Sequence, residues 1–482
     1  MSLPASICLG LLLLLFTHLL RPKQKSLPLP PGPKGWPVLG NLADMPSDRQ
    51  WETYNRWSKQ LNSDIIHLNA AGTHLVIVSS MEAIKEIFEK RSALYSRRPR
   101  MPMINELMGW DFVVGFMNYG DRWRANCKLM HEIFNSGAAK QFYPQQHTKR
   151  NELLRRIAQD AGDILHHFRY STGALVLSIL YGIEVLPRDD PYLNIAEKAM
   201  HGLAIGSLPG KFLVDTFPLL EYVPSWMPGA GFKRQARVWK QHTQDILHVP
   251  FAETKRAMAR GTAPPSFVSL HLNALAELDS NASALQDQES LIQEPLPWAG
   301  SFSPSNPEAQ KRAQMEIDAV VGQERLPDFS DEPSLMYVSA LVKEVLRWKI
   351  VVPIAIPHYL DVDDEYRRYR IPAGSIYQGP FFTMKFDTFP DPESFKPEQF
   401  LLSGKLNPAI LDPESFAFGL GQRICPGRHL AMATLWLTIT SILATLEIKK
   451  AVDKDGEVIE PSYEYFPGLI SQGTIHLWCL AS

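Results

Sequence analysis

The stretch Phe416-Ala417-Phe418-Gly419-Leu420-Gly421-Gln422-Arg423-Ile424-Cys425-Pro426-Gly427-Arg428 places one cysteine in a glycine-rich loop. His429 to Leu446, which follow, are apolar on every face and predict a buried helix. A cysteine at such a junction meets backbone N–H groups and the positive end of the helix, which favour a thiolate over a thiol. Pro426 suits the first helical turn, where its missing N–H would be unpaired anyway. Gly421 and Gly427 allow the backbone to approach a flat ligand, and Arg423 brings a cation two residues from the sulfur. The plain alternative, a small buried hydrophobe, does not explain that combination.

The other cysteines are Cys8, Cys127 and Cys479, scattered and never spaced C-x-x-C. That argues against a zinc site or disulfide framework and for a reducing compartment. The 482 residues would suit about three domains by length alone, yet no linker-like stretch interrupts the chain after the first fifty. A net charge of −2 gives no support to nucleic-acid binding.

The pattern F-x-x-G-x-R-x-C-x-G, Phe418 to Gly427, resembles the haem-binding signature of cytochromes P450 at every fixed position. The resemblance implies a mainly α fold with a small β region. It implies a haem whose iron takes Cys425 as axial ligand, with Phe418, Gly421, Arg423 and Gly427 around it. Residues 333–349 predict a helix with Val338, Leu341, Val342 and Val345 on one apolar face. Beside that face Glu344 and Arg347 stand at i and i+3, close enough to pair. They match the family's E-x-x-R, which implies a structural lock on the cysteine loop. Its usual third member is an arginine, and here Gln399 stands in that place, able to donate but uncharged. Asp121 opens another helix, in which Trp123 resembles a propionate contact while the family's arginine position holds Cys127. Trp123, Cys127, Met130 and Phe134 form an apolar stripe, and Lys128 is a candidate to replace the lost charge. His358 resembles a further propionate partner, with a surface strand histidine as the alternative. Arg97 and Arg98 are additional candidates that the sequence does not rank.

Leu3 to Leu20 are nearly all apolar and would span about 27 Å as a helix. Arg21, Lys23 and Lys25 follow, so the positive-inside rule places the remaining chain in the cytosol. The expected organisation is an anchor over 1–20, a basic and proline-rich linker over 21–45 and a haem-thiolate domain over 46–482. The expected location is the endoplasmic reticulum membrane, with membrane lipid as a partner and the Asn281 sequon left unmodified. The resemblance further implies an NADPH-cytochrome P450 reductase as electron donor and a basic docking face of Arg122, Lys128 and Arg428. The implied reaction is oxygen-dependent hydroxylation of an apolar small molecule. The style of the sequence resembles fungal secondary-metabolism members, as in terpenoid or polyketide biosynthesis. Substrate contacts are expected over Met101–Phe116 and Leu203–Pro228.

One segment departs from the family. Asn306-Pro307-Glu308 predicts a capped helix running to about Val321. Upstream, where the family has a long helix carrying an acid–alcohol pair, four prolines lie between residues 295 and 307. The pair is missing, with Ala299-Gly300-Ser301 as its only trace, and a smaller shortening falls between Gly379 and Phe389. The readings left open are an omitted exon, a decayed copy, haem-thiolate chemistry without oxygen activation, and a monooxygenase with unusual proton delivery.

Overall fold

The computed structural model describes residues 27–277 (without 47, 161 and 209), 289, 306–379 (without 349), 388–450, 455, 457–459 and 478–481. The expected anchor over 1–20, the Asn281 sequon, residues 290–305 and residues 380–387 lie outside these. Among the described residues no helix is long and apolar enough to cross a membrane.

The architecture is mainly helical with small sheets, as expected. α1 (Gln50–Leu61) leads into β1 (Ile65–Ala70) and β2 (Thr73–Val78). Then follow α2 (Asp121–Phe134), α3 (Tyr143–Gln159), α4 (Ile164–Tyr181), α5 (Pro191–Gly206), α6 (Gly231–Ala259) and α7 (Phe267–Ala276). After them come α8 (Pro307–Val320), α9 (Met336–Trp348), β3 (His358–Tyr359), β4 (Asp364–Tyr366), β5 (Tyr369–Ile371) and β6 (Ile376–Gln378). The chain continues with β7 (Leu401–Leu402), β8 (Lys405–Leu406), α10 (Arg428–Thr445), β9 (Glu447–Lys450) and β10 (Trp478–Ala481). The main sheet has the order β1-β2-β6-β3, with β2 and β6 parallel and the other neighbours antiparallel. The β1–β2 turn needs positive φ at Ala71 (47°) and Gly72 (95°), which matches the twist of a tight hairpin.

α8 begins where the sequence predicts, with the Asn306 side chain accepting from the Glu308 and Ala309 N–H groups, both at 3.1 Å. α9 is shorter than expected. Pro333 sits in a separate 3-10 turn, Phe329–Ser334, and the helix starts at Met336. Its free N–H groups are met from α8, where Glu316 accepts from Tyr337 at 2.8 Å and Val338 at 2.9 Å. α10 begins at Arg428 with Gly427 as its cap, so Pro426 precedes the helix instead of lying in its first turn.

Two cores meet at the cysteine loop. In one, Ala313 and Ile317 of α8, Val338 and Leu341 of α9, and Trp436 and Leu437 of α10 pack together. In the other, Val76, Phe88, Tyr95 and Tyr377 pack under Phe416 and Leu420 of the loop itself. The loop is therefore wedged between helices and sheet.

The proline-rich connector is extended, as its prolines require, and it lies along β1. The His67 N–H donates to Pro31 O at 2.9 Å, the Ala71 N–H to Leu39 O at 3.0 Å and the Arg370 N–H to Pro28 O at 2.9 Å. Behind this contact the His67 Nε2 and His74 Nδ1 atoms share a hydrogen bond of 2.8 Å. Burial, then the neighbouring His74, push His67 from 6.5 down to about 4. Burial, then Arg370, also lower His74, and Asp363 opposes them. Between those values the unfolded chain binds more protons than the folded one, so stability falls as pH drops from 6.5 toward about 4. The unfolding free energy from urea titration should fall over this range, by at most ~1.4 kcal/mol per histidine per pH unit. His67→Gln, which keeps a donor for His74 but takes up no proton, should flatten the fall; equal falls in both proteins would exclude this pair as the cause.

Candidate functional site

The cysteine loop is shaped by its glycines. Gly419 has φ 80° and Gly421 φ 54°, both in the left-handed region. Gly421 also makes a contact that the sequence does not show. A Cβ there would lie 2.1 Å from the Phe88 carbonyl oxygen, so the residue permits close packing of the loop on the Lys85–Lys90 turn. Gly427 does open toward the cysteine: among the described residues beyond its chain neighbours, the atom within 4 Å of a Cβ there is Cys425 Sγ, at 4.0 Å. The Cys425 N–H donates to Phe418 O at 2.7 Å, which closes the loop and fixes the sulfur at the entrance to α10. Burial raises the Cys425 thiol above its ordinary value, while the Gly427 N–H and Arg428 pull it down.

Glu344 and Arg347 are fully buried and pair as expected. The two Glu344 oxygens accept from Arg347 Nε (2.6 Å) and Nη2 (2.8 Å), the Lys396 N–H (2.5 Å) and Gln399 Nε2 (2.7 Å). Gln399 thus replaces the family's cation without losing the hydrogen bond. Arg347 also donates to Pro392 O (2.7 Å) and Ser394 O (2.8 Å). All these partners lie between residues 392 and 399, so the pair braces that segment and not the cysteine loop directly. The tie to the loop comes from the adjacent Lys343, which reaches Asp412 at 2.7 Å and Glu414 at 3.1 Å on the approach to it.

The third feature is a cluster of donors without an acid. Arg423 Nε donates to Ser96 O at 2.7 Å, and the guanidinium carbon sits 4.8 Å over the Trp123 ring. Arg98 donates to Gly115 O, Ile356 O and Pro357 O, each at 2.8 Å. His358 Nδ1 lies 2.5 Å from Tyr95 O, which leaves Nε2 for another partner. Arg423 Nη2 and Trp123 Nε1 are buried and, among the described residues, have no hydrogen-bond partner. Burial and Arg423 hold Arg98 well below its ordinary value, and burial holds Arg423 at about 10. Burial and the charges of Arg98 and Arg423 lower His358. Among the described residues no carboxylate pairs with either arginine. Such a cluster fits an anionic ligand, because buried cations require compensation. The chain's donor set therefore fits a haem: a thiolate ligand on one side and donors for carboxylates on the other.

The structure also ranks what the sequence left open. Arg98 is buried, whereas Arg97 is half exposed and pairs with Asp361 at 2.9 Å. Lys128 is exposed, so Arg98 supplies the second cation and not Lys128. Cys127 packs near Arg423, its thiol pushed up to about 11 by burial despite that cation. Nothing in the sequence marks Arg98 over Arg97, since the backbone direction that turns one inward depends on the distant β3 strand. The two expected substrate regions do meet: Met103, Met108 and Phe112 pack with Leu203 and Val214. This apolar cluster borders the cations through Gly115 and Ile356.

The family model described as Cytochrome P450 matches residues 30–293 and 304–466. A Postia placenta protein named cytochrome P450 monooxygenase 98 is 40% identical, over 93% of this chain and 89% of its own. The cytochrome P450 monooxygenase ple1 of Rhodocybe pseudopiperita is 38% identical over 93% and 88%. The tryptamine 4-monooxygenase of Psilocybe cyanescens is 38% identical over 90% and 88%. The chain therefore belongs to the cytochrome P450 family, an enzymatic family that binds haem through a cysteine thiolate. The match is interrupted at 294–303, where the sequence departs from the family pattern.

The two members of the lock should behave differently when cut. Glu344→Ala strands a buried guanidinium and should cost about 3–5 kcal/mol, seen as loss of soluble haem-loaded protein. Gln399→Leu leaves three of four bonds to the carboxylate and should cost about 1–2 kcal/mol. Thermal denaturation followed by circular dichroism compares them; equal losses would mean that the bond from Gln399 carries the lock.

Proposed function

We propose that this cytochrome P450 is a haem-thiolate monooxygenase that hydroxylates an apolar small molecule in fungal secondary metabolism, such as terpenoid or polyketide biosynthesis. The observation that carries this reading is the donor cluster without an acid, set between Cys425 and an apolar cluster. In this reading Cys425 would hold the haem iron through its sulfur, and Phe418, Gly421 and Gly427 shape its loop. Arg98, Trp123, His358 and Arg423 hold the haem carboxylates.

Bound there, a haem held by the thiolate would supply reductive oxygen activation for C–H hydroxylation. The chain's own contribution is binding and placement. The apolar residues Met103, Met108, Phe112 and Leu203 exclude water and orient a hydrophobic substrate. The donor cluster would bind the cofactor's carboxylates. Electrons come from an NADPH-cytochrome P450 reductase, and Arg122 and Lys128, both exposed, with the half-buried Arg428, are candidates for its docking face. The location proposed is the endoplasmic reticulum membrane with the catalytic part cytosolic. Besides residues 1–20, exposed Leu219 and Trp226, each 79% accessible, support contact with lipid.

A second reading is a haem-binding protein with impaired oxygen activation. The break in the family match at 294–303, where the acid–alcohol pair belongs, favours it. Sequencing the transcript across codons 290–310 separates an omitted segment from a real departure. For the 482-residue form, the ferrous–CO spectrum should show a red-shifted Soret band that Cys425→Ser abolishes. Absence of that band in the parent protein would exclude thiolate ligation. A normal band with no product from any apolar substrate would favour the second reading.

A further inference from the structure

We propose that Tyr95, pinned by Asp364 and Arg91, is a positioning residue for the donor cluster and hence for the haem carboxylates. The proposal rests on the reading of that cluster given above. Residues 95–98 carry most of the framework. The Tyr95 carbonyl receives His358, the Ser96 carbonyl receives Arg423 and the Arg97 carbonyl receives the Tyr359 N–H at 2.9 Å. Arg98 itself completes the set. Three donors thus take their direction from four consecutive residues.

What fixes those residues is the Tyr95 side chain. It is fully buried, edge-on to Tyr377 at 4.9 Å and to Phe88 at 6.4 Å. Its hydroxyl donates to Asp364 Oδ2 at 2.5 Å, and the same oxygen receives Arg91 Nη1 at 2.9 Å. Arg91 Nη1 also reaches Glu365 O at 2.7 Å, so it ties this segment to β4 twice. A hydrogen bond to a carboxylate is about twice as strong as a neutral one. Phe88 extends the connection: its ring lies 4.6 Å from the His358 ring, and its carbonyl is the atom against which Gly421 packs. Moving Tyr95 therefore moves a wall of the cysteine loop as well as two carbonyls of the cluster.

The alternative is an ordinary core tyrosine that only adds stability, and the two are separable in the holoprotein. Tyr95→Phe keeps the ring packing and removes the bond to Asp364; Asp364→Asn keeps an acceptor and removes the charge. Haem transfer to apomyoglobin should accelerate roughly five- to tenfold for Tyr95→Phe, about the worth of one hydrogen bond. It should accelerate less for Asp364→Asn, and the ferric–ferrous midpoint potential should shift in the same direction in both. Tyr54→Phe, at another fully buried tyrosine in a separate cluster, is the control and should change thermal stability alone. The proposal is overturned if Tyr95→Phe lowers the thermal midpoint while haem transfer and potential stay at parental values. If Tyr95→Phe yields no holoprotein, the same criterion applies to Asp364→Asn. Arg98→Gln and His358→Gln test the underlying reading: unchanged haem transfer in both overturns the cluster assignment, whereas faster transfer in both with parental Tyr95→Phe overturns only the role of Tyr95.

Discussion

Arg98 is buried and Arg423 half-buried beside it, close enough for Arg423 to lower the proton affinity of Arg98, and both cations lower the neighbouring His358 further. Isolated charges of this kind cost several kcal/mol each when withdrawn from water, even after relaxation. Backbone carbonyls from residues 96, 114, 115, 356 and 357 offset part of that cost by accepting from the guanidinium groups. They bring no net negative charge. The segments that supply them are otherwise unrelated in sequence, and their convergence determines how the sheet, the α2 helix and the cysteine loop sit together.

The Glu344–Arg347 pair solves the same physical problem in the opposite way. There every carboxylate lone-pair site is used by the protein itself, and the arginine is compensated in place. A saturated pair of this kind has nothing left to offer a ligand. It braces residues 392–399, so its influence on the cysteine loop is indirect, through α9 and Lys343. The two sites together show how burial separates a structural ion pair from a binding cluster: the difference lies in whether the donors have been answered from within the chain.

Beside the cations, Met103, Met108, Phe112 and Leu203 form an apolar cluster. That division suits a family in which the cofactor carries the reaction and the protein orients and shields. The interruption of the family match at 294–303 lies apart in sequence from the cysteine loop, the Glu344–Arg347 pair and the donor cluster.

The sequence by itself determined the cysteine loop, the α8 cap at Asn306 and the Glu344–Arg347 pairing. Each depends on residues within about one helical turn, and on backbone conformations that only certain residue types adopt. It also marked Trp123, His358 and Arg423 as contacts, because their motifs lie close to fixed positions. Tertiary structure alone decided that Arg98 turns inward and Arg97 outward, and that Glu316 caps α9. It decided too that Gly421 packs against the Phe88 carbonyl, and that Tyr95 is held by Asp364, 269 residues away. These contacts join segments whose mutual approach depends on the packing of the whole fold. No local spacing encodes them, since a hydrogen bond across hundreds of residues leaves no periodic trace in the chain.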